Sequence, residues 1–136
     1  MKGTVVTTWI KSMNELYGEE IVNKALQNNG WDETRIINPM EDIDDSEIKR
    51  IVDTVANTVK RPVGDVWKNI GRSNIISFSR WFPSYFERYS LRSFLIMMDD
   101  VHKQLTRMIP GARPPRLVAT ELGPDEIEIR YSSQRG

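Results

Sequence analysis

Val5, Trp9, Met13 and Leu16 recur at steps of four and three, which predicts a first helix that Gly18 stops. A second, shorter helix is expected with Ile21, Val22, Ala25 and Leu26 inward, ending at Gly30. Between Trp31 and Met40 the pattern is irregular, and Pro39 breaks any helix there. Asp44 and Glu47 have capping-box spacing ahead of Ile48, Ile51, Val52 and Val55, which repeat at helical period. Pro62 suits a first helical turn, and Val66, Trp67, Ile70, Asn74, Ser77 and Phe78 then share one side of a fourth helix. That helix runs toward the aromatic cluster of Trp81, Phe82, Tyr85 and Phe86, interrupted by Pro83. The longest periodic run places Leu91, Phe94, Leu95, Met98, His102, Leu105 and Ile109 on one stripe, closed by Pro110 and Gly111.

Beyond this point the period drops to two. Arg116 to Leu122 and Glu126 to Gln134 alternate around Gly123, Pro124 and Asp125, a hairpin signal. Helices first and strands afterwards predict an α+β fold in which an N-terminal helical part precedes an antiparallel hairpin or sheet.

With 136 residues the chain is expected to form a single domain, 1–136. Lys and Arg equal Asp and Glu at 19 each, so no global field recruits nucleic acid or an acidic membrane. There is no cysteine, which excludes disulfides, thiolate metal sites and cysteine nucleophiles. The polar residues spread through MKGTVVTTWIKSMNEL exclude a signal-peptide core or a membrane span, so a cytoplasmic location is expected.

His102 is the only histidine, and it lies on the most apolar helical stripe. It reads either as a core imidazole satisfied by a backbone carbonyl or as a metal or heme ligand, and the residue alone does not decide between them. Without Cys or a second His, zinc is a poor match, and one imidazole on a wide apolar wall suits heme better. On the last strand Ile127, Ile129, Tyr131, Ser133 and Arg135 share a face that begins apolar and turns polar. Two hydroxyls and a guanidinium in a row suit a pair of carboxylates, although a polar strand end near a terminus would look the same. Asn74 and Trp9 put hydrogen-bonding atoms on otherwise oily faces, which fits either satisfied core groups or a pocket for a polar diatomic ligand.

Taken together, the blocks MKGTVVTTWIK, LYG at 16–18, PMEDI at 39–43, GRSNIISFSRWFPSYF at 71–86, FLIMMDDVHKQLTRMIPGARPPRL at 94–117 and YSSQR at 131–135 resemble a known family. They are similar to the heme-nitric oxide/oxygen binding (H-NOX) domains of bacterial sensors, related to the heme domain of soluble guanylate cyclase. The most diagnostic feature is a Tyr-x-Ser-x-Arg motif, here Tyr131, Ser133 and Arg135, downstream of a helix-borne histidine.

The resemblance implies heme b between the long His-bearing helix and the distal helices, with His102 as the ligand to iron. It implies that Tyr131, Ser133 and Arg135 hold the propionates and that Pro115 presses the porphyrin out of plane. Val5, Phe78, Met98 and Leu117 match pocket-lining positions. Trp9 and Asn74 match members of a distal network that supports a tyrosine in the oxygen-binding subset. In the family that tyrosine lies in a helix after the motif strand, and further strands follow; the resemblance therefore implies that these parts are absent from the present sequence. The implied function is sensing of nitric oxide, with oxygen and carbon monoxide as further ligands. The signal would pass to a fused or separate histidine kinase, diguanylate cyclase or chemotaxis receptor, with no contact to nucleic acid or membrane. Two other classes compete. A heme peroxidase would need distal acid–base groups that a chain with one His lacks, so no enzymatic activity is expected. A cofactor-free protein interaction module would be colourless.

Overall fold

The computed structural model describes residues 1–32, 34–87 and 90–134, apart from the side chain of Leu105. Among the described residues, six helices and two strands follow one another: α1 (Gly3–Tyr17), α2 (Glu19–Asn28), α3 (Asp45–Thr58), α4 (Val63–Trp81), α5 (Pro83–Glu87), α6 (Leu91–Met108), β1 (Arg116–Gly123) and β2 (Glu126–Ser132). The fold is α+β in the expected order, with a short helix α5 inside the aromatic cluster that periodicity alone left unassigned. The chain divides into two compact units, Met1–Arg80 and Trp81–Gly136.

The first unit is built around α3. Ile48, Ile51, Val52, Val55 and Ala56 are buried there and pack with Val6 and Met13 of α1, Val22 and Ala25 of α2, and Val66 and Ile70 of α4. The buried line of α1 runs through Val6 and Met13, leaving Val5 and Trp9 half-buried and Leu16 exposed, so the expected stripe is rotated by part of a turn. The rotation carries Thr8 and Ser12 to the buried side although both are polar. At the N-cap of α3, Asp44 accepts the backbone N–H of Ser46 at 2.7 Å, as the spacing predicted. Glu47 does not complete a capping box; its carboxylate instead takes the indole N–H of Trp31 at 2.9 Å. The Arg35 guanidinium lies 3.8 Å over the same ring. Gly3 is required by a close approach: a Cβ there would lie 2.1 Å from the carbonyl oxygen of Asn38.

The second unit is thinner. Helix α6 is the long element foreseen over Leu91 to Ile109, but Leu91 is exposed while Phe94, Leu95, Met98 and His102 are half-buried. Phe94 stacks on Phe86 of α5 at 4.8 Å, and the Tyr85 hydroxyl donates to Gln104 at 2.8 Å. The hairpin is antiparallel with Leu117 opposite Tyr131 and Ala119 opposite Ile129. Directly opposed residues share a face, so the apolar-to-polar face of β2 is also the face of Leu117 and Ala119. None of the described residues of this unit is fully buried.

Candidate functional site

His102 sits in the middle of α6, on the side of Phe94, Leu95 and Met98. Its Nδ1 lies 2.7 Å from the carbonyl oxygen of Met98, one turn earlier. A carbonyl only accepts, so Nδ1 carries the proton. The other ring nitrogen, Nε2, has no hydrogen-bond partner among the described residues. Both readings open at the sequence level meet here, since the carbonyl satisfies one nitrogen and leaves the other able to bind a metal. Among the described residues no cluster of three or more His, Asp or Glu could hold a bare ion. A single free imidazole nitrogen fits an iron that brings its remaining donors with it, as heme does.

Pro115 and Leu117 flank the start of β1, and both are half-buried. Tyr131 is in β2, 61% exposed, and its hydroxyl has no partner among the described residues. The ladder ends at Ser132, so Ser133 lies just beyond the strand rather than on it, half-buried. Arg135 lies outside the described residues. Within the second unit a groove of about 720 Å³ brings Ser132 and Ser133 beside Lys103, Arg107, Arg113 and Arg116. Two of these four cations, Arg116 and Lys103, are already paired with Asp99. Lys103, Arg107 and Arg113 are additions that the motif itself did not indicate.

The structure also reveals a clasp that the sequence reading missed. Asp99, one turn before His102, accepts both forks of Arg116, at 2.8 Å each. It also takes the backbone N–H of Leu117 at 3.1 Å and the ammonium of Lys103 at 3.0 Å. The Arg116 hydrogen bonds, then the Leu117 N–H and Lys103, hold its carboxyl far below the usual carboxylate range. The same contacts raise Arg116 and Lys103. At the other end of α6, Arg92 bonds Glu121 at 2.7 Å and the Gly123 carbonyl at 3.0 Å. The helix that carries His102 is thus tied to β1 at two places. An acidic residue one turn from the lone histidine, followed by an arginine after the Pro-Pro pair, was the available signal.

In the first unit, Trp9, Val5, Asn74 and Phe78 are all half-buried. Trp9 meets the edge of Trp67 with ring centroids 5.0 Å apart. Asn74 accepts from the Ser12 hydroxyl at 3.2 Å.

The haem-NO-binding family profile (HNOB) matches residues 2–136. The chain belongs to the H-NOX family. Solved H-NOX structures agree. One is the crystal structure of an oxygen-binding H-NOX domain related to soluble guanylate cyclases, in its oxygen complex: it is 50% identical, with a TM-score of 0.87, over 99% of this chain and 72% of that one. A Cs H-NOX mutant carrying 4-cyano-L-phenylalanine is 50% identical with a TM-score of 0.93, over 99% of this chain and 73% of its own. A third, solved for insight into the molecular mechanism of H-NOX activation, is 50% identical with a TM-score of 0.89, over 96% of this chain and 71% of its own. Proteins of curated function give no match. H-NOX domains are heme-based gas-sensor domains, not catalysts themselves. Among the described residues, no helix is long and apolar enough to cross a membrane.

Proposed function

We propose that this chain is a single cytoplasmic sensor domain that holds ferrous heme b through Nε2 of His102. It responds to nitric oxide, with oxygen and carbon monoxide as further ligands. The observation that carries this reading is the bond from His102 Nδ1 to the Met98 carbonyl, which fixes the tautomer a metal ligand needs. Held by His102, heme would supply the iron that binds a diatomic gas. Tyr131, Ser133 and Arg135 are assigned to the propionates, and the basic groove beside Ser133 supports that assignment. Pro115, Val5, Phe78, Met98 and Leu117 are assigned to the apolar wall, and Trp9 and Asn74 to the ligand side.

His102 and Asp99 lie one turn apart, so the helix that bears the ligand also bears the clasp to β1. Were the bond at Nε2 lost, α6 would lose one tether, and Asp99 would couple the change to Arg116 and Leu117 at the start of β1. This supplies a packed element whose balance a ligand can shift. The output is a partner or fused domain such as a histidine kinase, diguanylate cyclase or chemotaxis receptor.

Anaerobic absorption spectra of the reconstituted chain test the reading. The parent shows a five-coordinate, histidine-ligated ferrous band that moves with nitric oxide, and His102→Gly shows it only when free imidazole is added. A His102→Gly spectrum identical to the parent's removes His102 from the ligand role, and a chain that stays colourless with ample heme is an interaction module.

A further inference from the structure

The hairpin has two outer edges, and they are not alike. On β1, Asp99 takes the backbone N–H of Leu117 at 3.1 Å and Arg92 donates to the Gly123 carbonyl at 3.0 Å, so side chains of α6 occupy that edge. The Leu117 amide therefore points away from β2, which makes Leu117 and Tyr131 a non-hydrogen-bonded pair of the ladder. By alternation, Ala119 with Ile129 and Glu121 with Ile127 are pairs of the same kind. On β2 the N–H and C=O groups of Ile127, Ile129 and Tyr131 then face outward, and none of them has a partner among the described residues. Every residue of β2 except Ile127 is exposed, and no proline or lysine guards the strand.

We propose that the free edge of β2 is a self-association surface, which a second copy of this chain pairs antiparallel about Ile129. In that register Ile129 meets Ile129 of the second copy, and Ile127 of each strand meets Tyr131 of the other. These three pairs use the outward groups of both strands. The side chains between them decide the register. Glu128 falls directly opposite Arg130 of the second copy, and Arg130 opposite its Glu128. Sliding two residues either way, the nearest step that keeps outward groups paired, sets Glu128 against Glu128 or Arg130 against Arg130. Neither charge is committed elsewhere: along their own strand they approach only to 3.4 Å, with both side chains more than half exposed. The charges select the register, while the backbone bonds and the apolar row of Ile127, Ile129 and Tyr131 supply the attraction. Two hairpins joined in this way form one four-stranded sheet. A two-stranded sheet is marginal by itself, so the unit with no fully buried described residue gains the strands it lacks. Nothing in this pairing requires heme.

Sedimentation equilibrium of the full chain over a range of concentrations tests the pairing. The parent is expected to pass from monomer to dimer and to stop there, because the β1 edge is already occupied. Glu128→Arg and Arg130→Glu each set like charges opposite one another and should weaken association roughly tenfold or more. The two changes combined in one chain exchange the charges and should restore it. An equimolar mixture of the two single variants should also associate, since each then faces the opposite charge, and a misfolded variant could not be rescued in this way. In the dimer, amide exchange should slow at Ile127, Ile129 and Tyr131 and stay unchanged at Glu128 and Arg130, whose amides already serve the hairpin. A parent that stays monomeric overturns the proposal, and so does one that grows beyond a dimer. Association that ignores both charge reversals, or a mixture of the single variants that fails to associate, also overturns it, because the copies then meet elsewhere or in another register.

Discussion

The Tyr131 hydroxyl and the Ser133 side chain differ in how the hairpin holds them. Tyr131 is inside the ladder opposite Leu117, whereas Ser133 follows its last residue. Tyr131→Phe removes one donor from a fixed position, and Ser133→Ala removes one from the chain beyond the strand. Each is expected to speed heme loss roughly tenfold, the effect of one hydrogen bond to a charged acceptor, and Arg135→Ala by more. Transfer of heme to an apo-globin acceptor measures this, and rates equal to the parent's withdraw the propionate assignment for that residue. Gly3→Ala is a change of another kind. The new methyl would meet backbone, not a flexible side chain, so it should cost about 1–3 kcal/mol in denaturant unfolding without altering the ferrous spectrum. His102 itself was legible as a residue of interest because it is the only one of its type. The acceptor at its Nδ1 is a backbone oxygen that a string of side-chain identities does not specify. The same limit hid Ser12, an ordinary polar residue in the sequence and a buried one in the fold.

Between elements, the carboxylate of Asp99 ties α6 to β1. Its side chain is only 14% exposed, and three groups donate to it. Because its folded pKa is depressed, its contribution is present above the ordinary carboxylate range and is lost as pH falls through and below that range. Asp99→Asn is therefore expected to be less stable than the parent at neutral pH, and the gap should close progressively below about pH 4. Paired thermal unfolding curves at neutral and acid pH decide it; a gap that does not depend on pH would mean that the clasp acts through shape and not charge. The elements themselves were largely readable. Apolar spacing placed α2, α3 and the long α6, and alternation around Gly123, Pro124 and Asp125 placed the hairpin. The errors lie where a tertiary partner outweighs local pattern. Trp31 claims Glu47 from the expected capping box, and α1 buries Thr8 and Ser12 in place of part of its most apolar stripe. The clasp itself joins residues 17 apart through side chains that look solvated in sequence.

At the scale of the whole chain, the two units differ in how much core they own. Among the described residues, all thirteen buried hydrophobic side chains belong to Met1–Arg80, so that unit meets the usual condition for independent stability. In Trp81–Gly136 the half-buried side chains of α6 and the hairpin leave Val118, Ile129 and Tyr131 substantially exposed. Amide hydrogen exchange should therefore be slow along α3 and faster along α6 and β1, and heme should slow it selectively in the second unit. Uniform protection of both units without heme contradicts this. The thin core has a consequence for the protein's lifetime in a cell. A ligand that binds only the folded form adds its own binding free energy to stability, and an apolar macrocycle adds buried surface as well. Heme binding is therefore expected to slow proteolysis within the second unit, and equal cutting rates with and without heme would contradict this. If heme protects the folded form in this way, the amount of intact chain would follow the supply of heme, a dependence separate from any response to gas.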